Sequence, residues 1–305
     1  MRAARAALFV LILGAASPAW GGGPLSVVTT STDLASLVDA VGGDGVRVES
    51  LAPPLHDPHA FEVKPGQLAR LRSADLLVRI GLDHEPWLAR ALATIGDGRF
   101  VRGSPHYLEA APSVELLQTE TPRVRPERGV HVHAFGNTHI WLDPENARPI
   151  TAAILAALVR LRPDDRATLE SHRARFLGAL DAGLRRWAAA MAPLRGARVV
   201  VVHETWPYFA RRFGLVIVAA VEPTPGVPPS PASLGALVQR MRESGVKLLI
   251  AEPYANAALV AQVAAKSGAR AVTLVPSVGG DREARDYLTL FDLNVRRLAA
   301  AIEAR

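Results

Sequence analysis

A long segment near the middle of the chain, 165–191, contains no proline and spaces its apolar residues at helical intervals. At a rise of about 1.5 Å per residue, it predicts one helix about 40 Å long. On both sides of it, short apolar runs that predict buried strands alternate with stretches that predict helices, one of them over residues 85–92. This alternation is typical of parallel sheets covered by helices. We therefore expect an α/β fold of two Rossmann-like lobes with mainly parallel sheets, bridged by the central helix.

The chain is predicted to begin with an export signal over residues 1–21. Arg2 and Arg5 precede an apolar run of about 11 residues, which is too short to span a bilayer, and small residues follow it. The remaining predicted parts are the N-terminal lobe (22–163), the bridging helix (164–193) and the C-terminal lobe (194–305). Because the chain has no cysteine to carry a lipid, we expect a free periplasmic protein rather than a lipoprotein.

The composition supports folded cores and excludes several kinds of site. Of the 305 residues, 49% are hydrophobic and 21% are charged, which is enough apolar material for about two domains. The absence of cysteine excludes disulfides, iron–sulfur clusters, thiolate zinc sites and a cysteine nucleophile. The formal net charge is +6, but the arginines are interleaved with acidic residues. This pattern is typical of a solvated surface and argues against a nucleic-acid partner.

Three of the nine histidines share a sequence context: His59, His139 and His203 each lie just after a predicted strand or at a turn that opens a helix. In α/β lobes, ligands gather at the carboxyl ends of the strands, so loops from both lobes could bring these side chains to one cleft. Three neutral imidazoles that converge make a zinc-like site. Taken singly, each histidine could instead be a hydrogen-bonded or surface residue.

Several short motifs follow one another along nearly the whole mature chain and together form a specific set. They are 57–65 (DPHAFEVKP), 74–78 (ADLLV), 81–87 (GLDHEPW), 139–147 (HIWLDPENA), 203–204 (HE), 208–209 (YF), 212–215 (RFGL), 229–231 (PSP), Tyr287 and Asn294. In this order they resemble the solute-binding proteins of bacterial zinc and manganese ABC importers, the cluster A-I family.

The resemblance implies two α/β lobes bridged by one long helix, with a metal ion bound between them. It implies that His59 and His139 are first-lobe ligands and that His203 is a second-lobe ligand. The segment 141–144 (WLDP) then supports the turn that presents His139. The same resemblance implies a monomeric periplasmic receptor, not an enzyme, that delivers Zn²⁺ to the membrane permease of an ABC importer with a cytoplasmic ATPase. Mn²⁺ is the alternative cargo.

The fourth metal ligand is where the chain departs from this family. Many relatives place an aspartate where this chain has Pro276, and proline has no side-chain donor. The fourth position is therefore open between Asp281, Glu204, Glu252 and a water molecule. A set made of histidines favours zinc over manganese, which prefers more carboxylate oxygen.

Other histidines have weaker interpretations. His131 and His133 stand in a short loop before His139 and are either a small capture site for metal or ordinary exposed residues, and His84, His106 and His172 are expected to be structural or surface residues. A metal-dependent hydrolase is the less favoured alternative function. The His-Glu-x-x-His pattern of zinc hydrolases is incomplete at both His-Glu pairs, and no nucleophile elbow or phosphate-binding loop is present.

Overall fold

The computed structural model describes residues 23–55, 61–119, 136–223 and 227–303. The first lobe runs through β1 (Leu25–Thr29), α1 (Thr32–Gly42), β2 (Val46–Ser50), α2 (Pro65–Ser73), β3 (Leu76–Arg79), α3 (Leu88–Ile95), β4 (Tyr107–Glu109) and α4 (Ala147–Leu161). The long helix α5 (Arg166–Met191) follows. The second lobe runs through β5 (Arg198–Val201), α6 (Pro207–Phe213), β6 (Val216–Ala220), α7 (Pro231–Glu243), β7 (Leu248–Ala251), α8 (Ala257–Ser267), β8 (Arg270–Thr273) and α9 (Tyr287–Glu303).

Each lobe is built on a parallel sheet with the same strand order. The first sheet has the order β2-β1-β3-β4 and the second β6-β5-β7-β8, and every pairing is parallel. In each lobe, the strand that comes first in the sequence is therefore an inner strand, and the carboxyl ends of all strands in a sheet lie at one edge. The predicted α/β class with two parallel sheets is confirmed.

The bridging helix is also confirmed, and it belongs to one core that continues through both lobes. Helix α5 is 26 residues long and packs against α1 and α4 of the first lobe and α9 of the second. Buried members of this core are Leu34, Ile150, Leu180, Trp187, Phe209 and Phe291. Because the core is continuous, wide separation of the lobes would expose apolar side chains to water.

The chain after β3 differs from its prediction. The sequence predicts a helix over 85–92, but α3 begins at Leu88. The reason is that the Glu85 carboxylate accepts the backbone N–H groups of Ile80 at 2.7 Å and Gly81 at 3.2 Å, which holds this stretch in a turn. The strand β4 is three residues long, too short for its alternation to be recognised in sequence.

Within the described residues, none of the helices combines the length and apolar character that a membrane span needs.

Candidate metal centre

The predicted metal ligands fall only partly within the described residues. His59 lies outside them, as do His131 and His133, so these assignments stay predictions. Across the four described ranges, no group of three or more histidine, aspartate and glutamate side chains is arranged to hold a metal ion. The structure therefore shows how His139 and His203 are each held, and the three-histidine set remains untested.

His139 lies at the start of a 3₁₀ turn (Ile140–Leu142) and is 9% exposed. Asn137 holds it at two points. The Asn137 Oδ1 atom accepts the backbone N–H of His139 at 3.0 Å and lies 3.1 Å from the ring Nδ1. When Nδ1 donates this second bond, the lone pair of the neutral ring is on Nε2. Asn137 thus selects the tautomer in which Nε2 is the metal-binding atom.

His84 is buried and packs edge-on against His139, with the ring centroids 5.6 Å apart. Its Nδ1 lies 2.8 Å from the Thr138 hydroxyl oxygen. The two residues before it, Leu82 and Asp83, have left-handed backbone angles, with φ at 57° and 58°. Residues other than glycine rarely adopt this conformation, so the turn holds some strain. The structural role expected for His84 is thus packing against a predicted metal ligand.

The loop that carries His139 is hydrogen-bonded to the second lobe. The Asn137 side-chain N–H donates to the backbone oxygen of Glu204 at 2.8 Å, next to His203. The Tyr208 hydroxyl donates to the backbone oxygen of Asn137 at 2.9 Å and accepts the backbone N–H of Leu117 at 3.1 Å. These bonds bring the segments of His139 and His203 side by side across the boundary between the lobes.

Trp141 and Asp143 connect the same first-lobe turn to the second lobe. The Trp141 indole N–H donates to the backbone oxygen of Pro276 at 2.8 Å. The buried Asp143 carboxylate accepts two bonds from Arg212 on α6, Nε to Oδ1 at 2.6 Å and Nη2 to Oδ2 at 3.1 Å. A two-point guanidinium–carboxylate pair is strong and directional. It fixes the turn after His139 to α6.

His203 follows β5 and lies between two carboxylates. Its Nδ1 is 3.0 Å from Glu252 Oε2, and its Nε2 is 2.9 Å from Glu222 Oε2. Burial lowers the pKa of His203, but the hydrogen bonds and charges of the two glutamates outweigh burial and raise the pKa to about 9. The ring is therefore protonated at neutral pH in the metal-free protein, and a metal ion that binds Nε2 must displace a proton.

Glu252 follows β7 and is 2% exposed. Both of its oxygens are engaged: Oε1 accepts the Trp206 indole N–H at 2.7 Å, and Oε2 faces His203. Tyr254, two residues later, stacks on the imidazole of His203 with 6.1 Å between the ring centroids. A carboxylate behind the Nδ1 atom of a metal-binding histidine is the usual way of orienting the ring and raising its basicity.

The other two candidates for the fourth ligand have different surroundings. Asp281 accepts Arg297 Nη2 at 2.6 Å and the backbone N–H of Glu283 at 2.9 Å, and these bonds lower the pKa of Asp281. Its carboxylate is thus engaged by a guanidinium. The Glu204 side chain lines a cavity of about 400 Å³ that it shares with Gln118 on the first-lobe side.

Glu222 is a residue that the sequence prediction missed. It stands in Val221-Glu222-Pro223, where it is the first charged residue after the apolar run of β6. Its position at the carboxyl end of a predicted strand was visible in the sequence, but the sequence did not show that this strand lies next to β5.

The donor chemistry fits a divalent cation of intermediate softness. The two described imidazoles each have Nδ1 at a hydrogen-bonding oxygen, which makes Nε2 the candidate metal-binding atom of each ring. In His203, Nε2 also lies 2.9 Å from Glu222, so a metal ion would have to displace that contact. Imidazole nitrogen with a limited number of carboxylate oxygens is a donor set for zinc, whereas manganese and magnesium sites use mostly oxygen.

Comparison with known families agrees with this chemistry. The family described as zinc-uptake complex component A, periplasmic, matches residues 27–301. The chain is 26% identical over 271 residues to the high-affinity zinc uptake system protein ZnuA of Yersinia pestis, covering 84% of each sequence. It is 29% identical over 259 residues to the protein of the same description from Paracoccus denitrificans, covering 78% of each.

The fold is shared with solved structures. A crystal structure of a ZnuA deletion mutant with zinc bound superposes with a TM-score of 0.76 at 26% identity, covering 92% of this chain and 99% of the other. Two lobes around a long helix are therefore common to this chain and to a protein that was crystallised with zinc.

Proposed function

The chain belongs to the family of periplasmic zinc-uptake component A proteins, and from that premise we propose that it is a receptor for Zn²⁺. It binds the ion between its lobes and delivers it to the permease of an ABC importer. Zinc is the cargo rather than a resident cofactor.

One observation carries this proposal: an imidazole from each lobe has its Nδ1 atom at a side-chain oxygen, and the two loops are hydrogen-bonded to each other. Asn137 supports His139, Glu252 supports His203, and Asn137 also bonds to Glu204 beside His203. Preorganised imidazoles on two packed lobes are suited to tight capture of one ion, because little ordering remains to be done on binding.

The proposed ligand set is His59 and His139 from the first lobe and His203 from the second, with a fourth donor. Such a set favours Zn²⁺, and Mn²⁺ is the alternative cargo. In transport, the receptor acts in the periplasm as a monomer, and its partner is a membrane permease with a cytoplasmic ATPase. The continuous core favours a small loop or lobe movement for release over wide opening.

The test is a titration of the metal-free full-length protein with Zn²⁺ and with Mn²⁺, followed by calorimetry and native mass spectrometry. We expect one Zn²⁺ per chain, bound more tightly than Mn²⁺. The variants His59→Ala, His139→Ala and His203→Ala should each weaken zinc binding at least tenfold, by loss of a ligand. The control is His172→Ala on α5, which should bind like the parent protein.

Two results would contradict the proposal. The site assignment is wrong if His172→Ala weakens binding as much as the three ligand variants do. The receptor function itself is wrong if the parent protein binds no stoichiometric metal, or if zinc-loaded protein hydrolyses ester or amide substrates with a turnover that the ligand variants lose.

A further inference from the structure

A short segment of the second lobe, residues 275–280 after β8, crosses over to the first lobe, and we refer to it as the seam strap. Asn294 on α9 anchors its beginning: the Asn294 Oδ1 atom accepts the backbone N–H of Val275 at 2.8 Å, and Nδ2 donates to the Val275 oxygen at 2.7 Å. On the other side, the Trp141 indole N–H donates to the backbone oxygen of Pro276 at 2.8 Å. The strap is therefore fixed in one lobe and seated on the other.

Asp33, in the first turn of α1, lies under the seam strap and is 0% exposed. Its Oδ1 atom accepts the backbone N–H of Val278 at 2.9 Å. Within the described part of the chain, its Oδ2 and the neighbouring Thr32 Oγ1 are buried without a hydrogen-bond partner. One turn later, Ser36 Oγ accepts the backbone N–H of Tyr287 at 2.9 Å. A half-satisfied carboxyl group thus lies in the contact between the lobes.

The charged groups on the elements around Asp33 are held by other partners. Burial raises the pKa of Tyr287 on α9 well above 10, and the charges of Asp143 and Asp33 add to this. The remaining groups form ion pairs on the flanking loops and helices: Asp143–Arg212, Asp281–Arg297 and Arg186–Asp292. Burial raises the pKa of Asp33 to about 7, although the bonds from Val278 and Ser277 lower it. Asp33 is therefore the group of this set that loses its proton near neutral pH.

Loss of that proton leaves a buried charge that no described cation offsets. Such a charge is costly unless it is paired or reached by water. Lifting of the strap would let water reach the carboxylate, whereas the neutral carboxyl can stay covered and keep its bond to Val278. Because the pKa of Asp33 is raised in the seated state, the seated strap is favoured below about pH 7 and becomes less stable as pH rises.

We propose that Asp33 is a proton-dependent latch between the lobes: the seam strap is seated on α1 while the carboxyl is neutral, and lifts when the carboxylate forms. Pro276 in the strap holds Trp141, which follows His139 by two residues. The latch would thus set how firmly the second lobe holds the turn after His139. The inference stands on the contacts of the seam and is independent of the proposed function, so a failure of the protein to bind zinc would leave it in place.

The test is nuclear magnetic resonance on the metal-free full-length protein and on Asp33→Asn, which keeps an oxygen acceptor for Val278 and cannot ionise. The carbon-13 shift of the Asp33 carboxyl gives its pKa. Hydrogen exchange of the Val278 amide, corrected for the intrinsic rate at each pH, gives the frequency of strap lifting. The amide of Val200 in β5, a residue that is 0% exposed, reports global unfolding.

We expect Asp33 to titrate near pH 7, and the protection of Val278 to fall about tenfold from pH 6 to pH 8 and to level off at higher pH. This size follows for a carboxyl with a pKa of about 7 when covered and about 4 in water. In Asp33→Asn, the protection should change less than about twofold. Val278 should exchange at least about tenfold faster than Val200 at each pH, because lifting is a local opening.

Each of four results would overturn the latch. Titration of Asp33 near pH 4 would show that water already reaches the carboxylate. Constant protection of Val278 in the parent would show that the strap stays seated over the charge, and an equal fall in Asp33→Asn would assign the effect to another group. Equal protection of Val278 and Val200 would leave only global unfolding. Should Asp33→Asn not fold, the parent decides, because its carboxyl titration and its Val278 exchange must then change over the same pH range.

Discussion

The two lobes share one strand order but use different chemistry beyond the carboxyl ends of their strands. In the first lobe, Glu85 is 3% exposed and accepts bonds from Arg79, from the Thr30 hydroxyl and from the backbone after β3. In the second lobe, Glu252 and Glu222 face the imidazole of His203.

The difference separates a structural carboxylate from a functional one. A buried carboxylate needs a compensating partner, since removing it from water is costly. Arginine is a permanent cation and makes such a pair inert, whereas an imidazole can release its proton and accept a metal ion in its place. We therefore expect substitutions in the Glu85–Arg79 pair to affect mainly folding. Substitutions of Glu252 or Glu222 beside His203 should affect mainly metal binding.

The largest expected effect is on folding, from Glu85→Ala. This change removes the carboxylate that pairs with Arg79 at 2.9 Å and leaves the Ile80 and Gly81 N–H groups without their acceptor. Breaking a buried pair by removing one partner costs about 3–5 kcal/mol. Urea denaturation should show a loss of that size in the unfolding free energy. A loss below about 1 kcal/mol would show that the first-lobe carboxylate is not structural.

Asp33 is a third kind of buried carboxylate, because its partner is neither an arginine nor a histidine. Asp33 on α1 is fully buried, and its Oδ1 accepts the backbone N–H of Val278 from the second lobe at 2.9 Å. Within the described part of the chain, its Oδ2 has no hydrogen-bond partner. Burial, partly offset by the bonds from Val278 and Ser277, raises the pKa of Asp33 to about 7.

This raised pKa makes the native state less stable as pH rises. The folded protein binds the proton more tightly than the unfolded chain, so the stabilisation is complete below about pH 4 and is lost as pH rises to about 7. Asp33→Asn keeps an oxygen acceptor for Val278 and cannot ionise. Relative to the parent, it should therefore gain on the order of 3 kcal/mol in unfolding free energy between pH 4 and pH 8. Urea denaturation across this range measures the difference, and a difference independent of pH would contradict the assignment.

In the second lobe, Glu252→Gln should weaken zinc binding and destabilise the fold less than Glu85→Ala does. Loss of a carboxylate behind a metal-binding histidine typically costs 10- to 100-fold in metal affinity. The amide keeps an oxygen for the Trp206 indole but turns its N–H₂ group toward His203, so we expect the metal-free protein to lose about 1–2 kcal/mol of unfolding free energy. Chelator competition and urea denaturation on the same sample check both values. If the variant kept the parent's zinc affinity but lost about 3 kcal/mol of unfolding free energy, Glu252 would be a structural carboxylate like Glu85.

Much of the fold could be predicted from the sequence, because its strands are short apolar runs and its long helix lacks proline. The elements missed were set by tertiary contacts: α3 starts late because the side chain of Glu85 holds the preceding turn, and β4 exists through its pairing with β3. Periodicity carries no information on either contact.

The site was predictable in part. The histidines stood out by residue type and context, and the structure places His139 and His203 on adjoining loops. Glu222 did not stand out, because its role depends on which strand lies next to β5, and the order of strands in a sheet is not written in local sequence. The sequence near Pro276 offers Asp281 as a carboxylate, but its pairing with Arg297 depends on a helix at the end of the chain.

The smallest expected effect concerns the boundary between the lobes. Tyr208→Phe removes the hydroxyl that joins Leu117 to Asn137 but keeps the buried ring. The change removes both hydrogen bonds of the hydroxyl, which together contribute about 1–2 kcal/mol of unfolding free energy. Asn137 still bonds to both His139 and Glu204, so zinc affinity should fall by less than about threefold. Calorimetric titration and urea denaturation measure the two effects. A tenfold loss of affinity at unchanged stability would mean that the position of the first-lobe loop, and not the carboxylates of the second lobe, dominates metal capture.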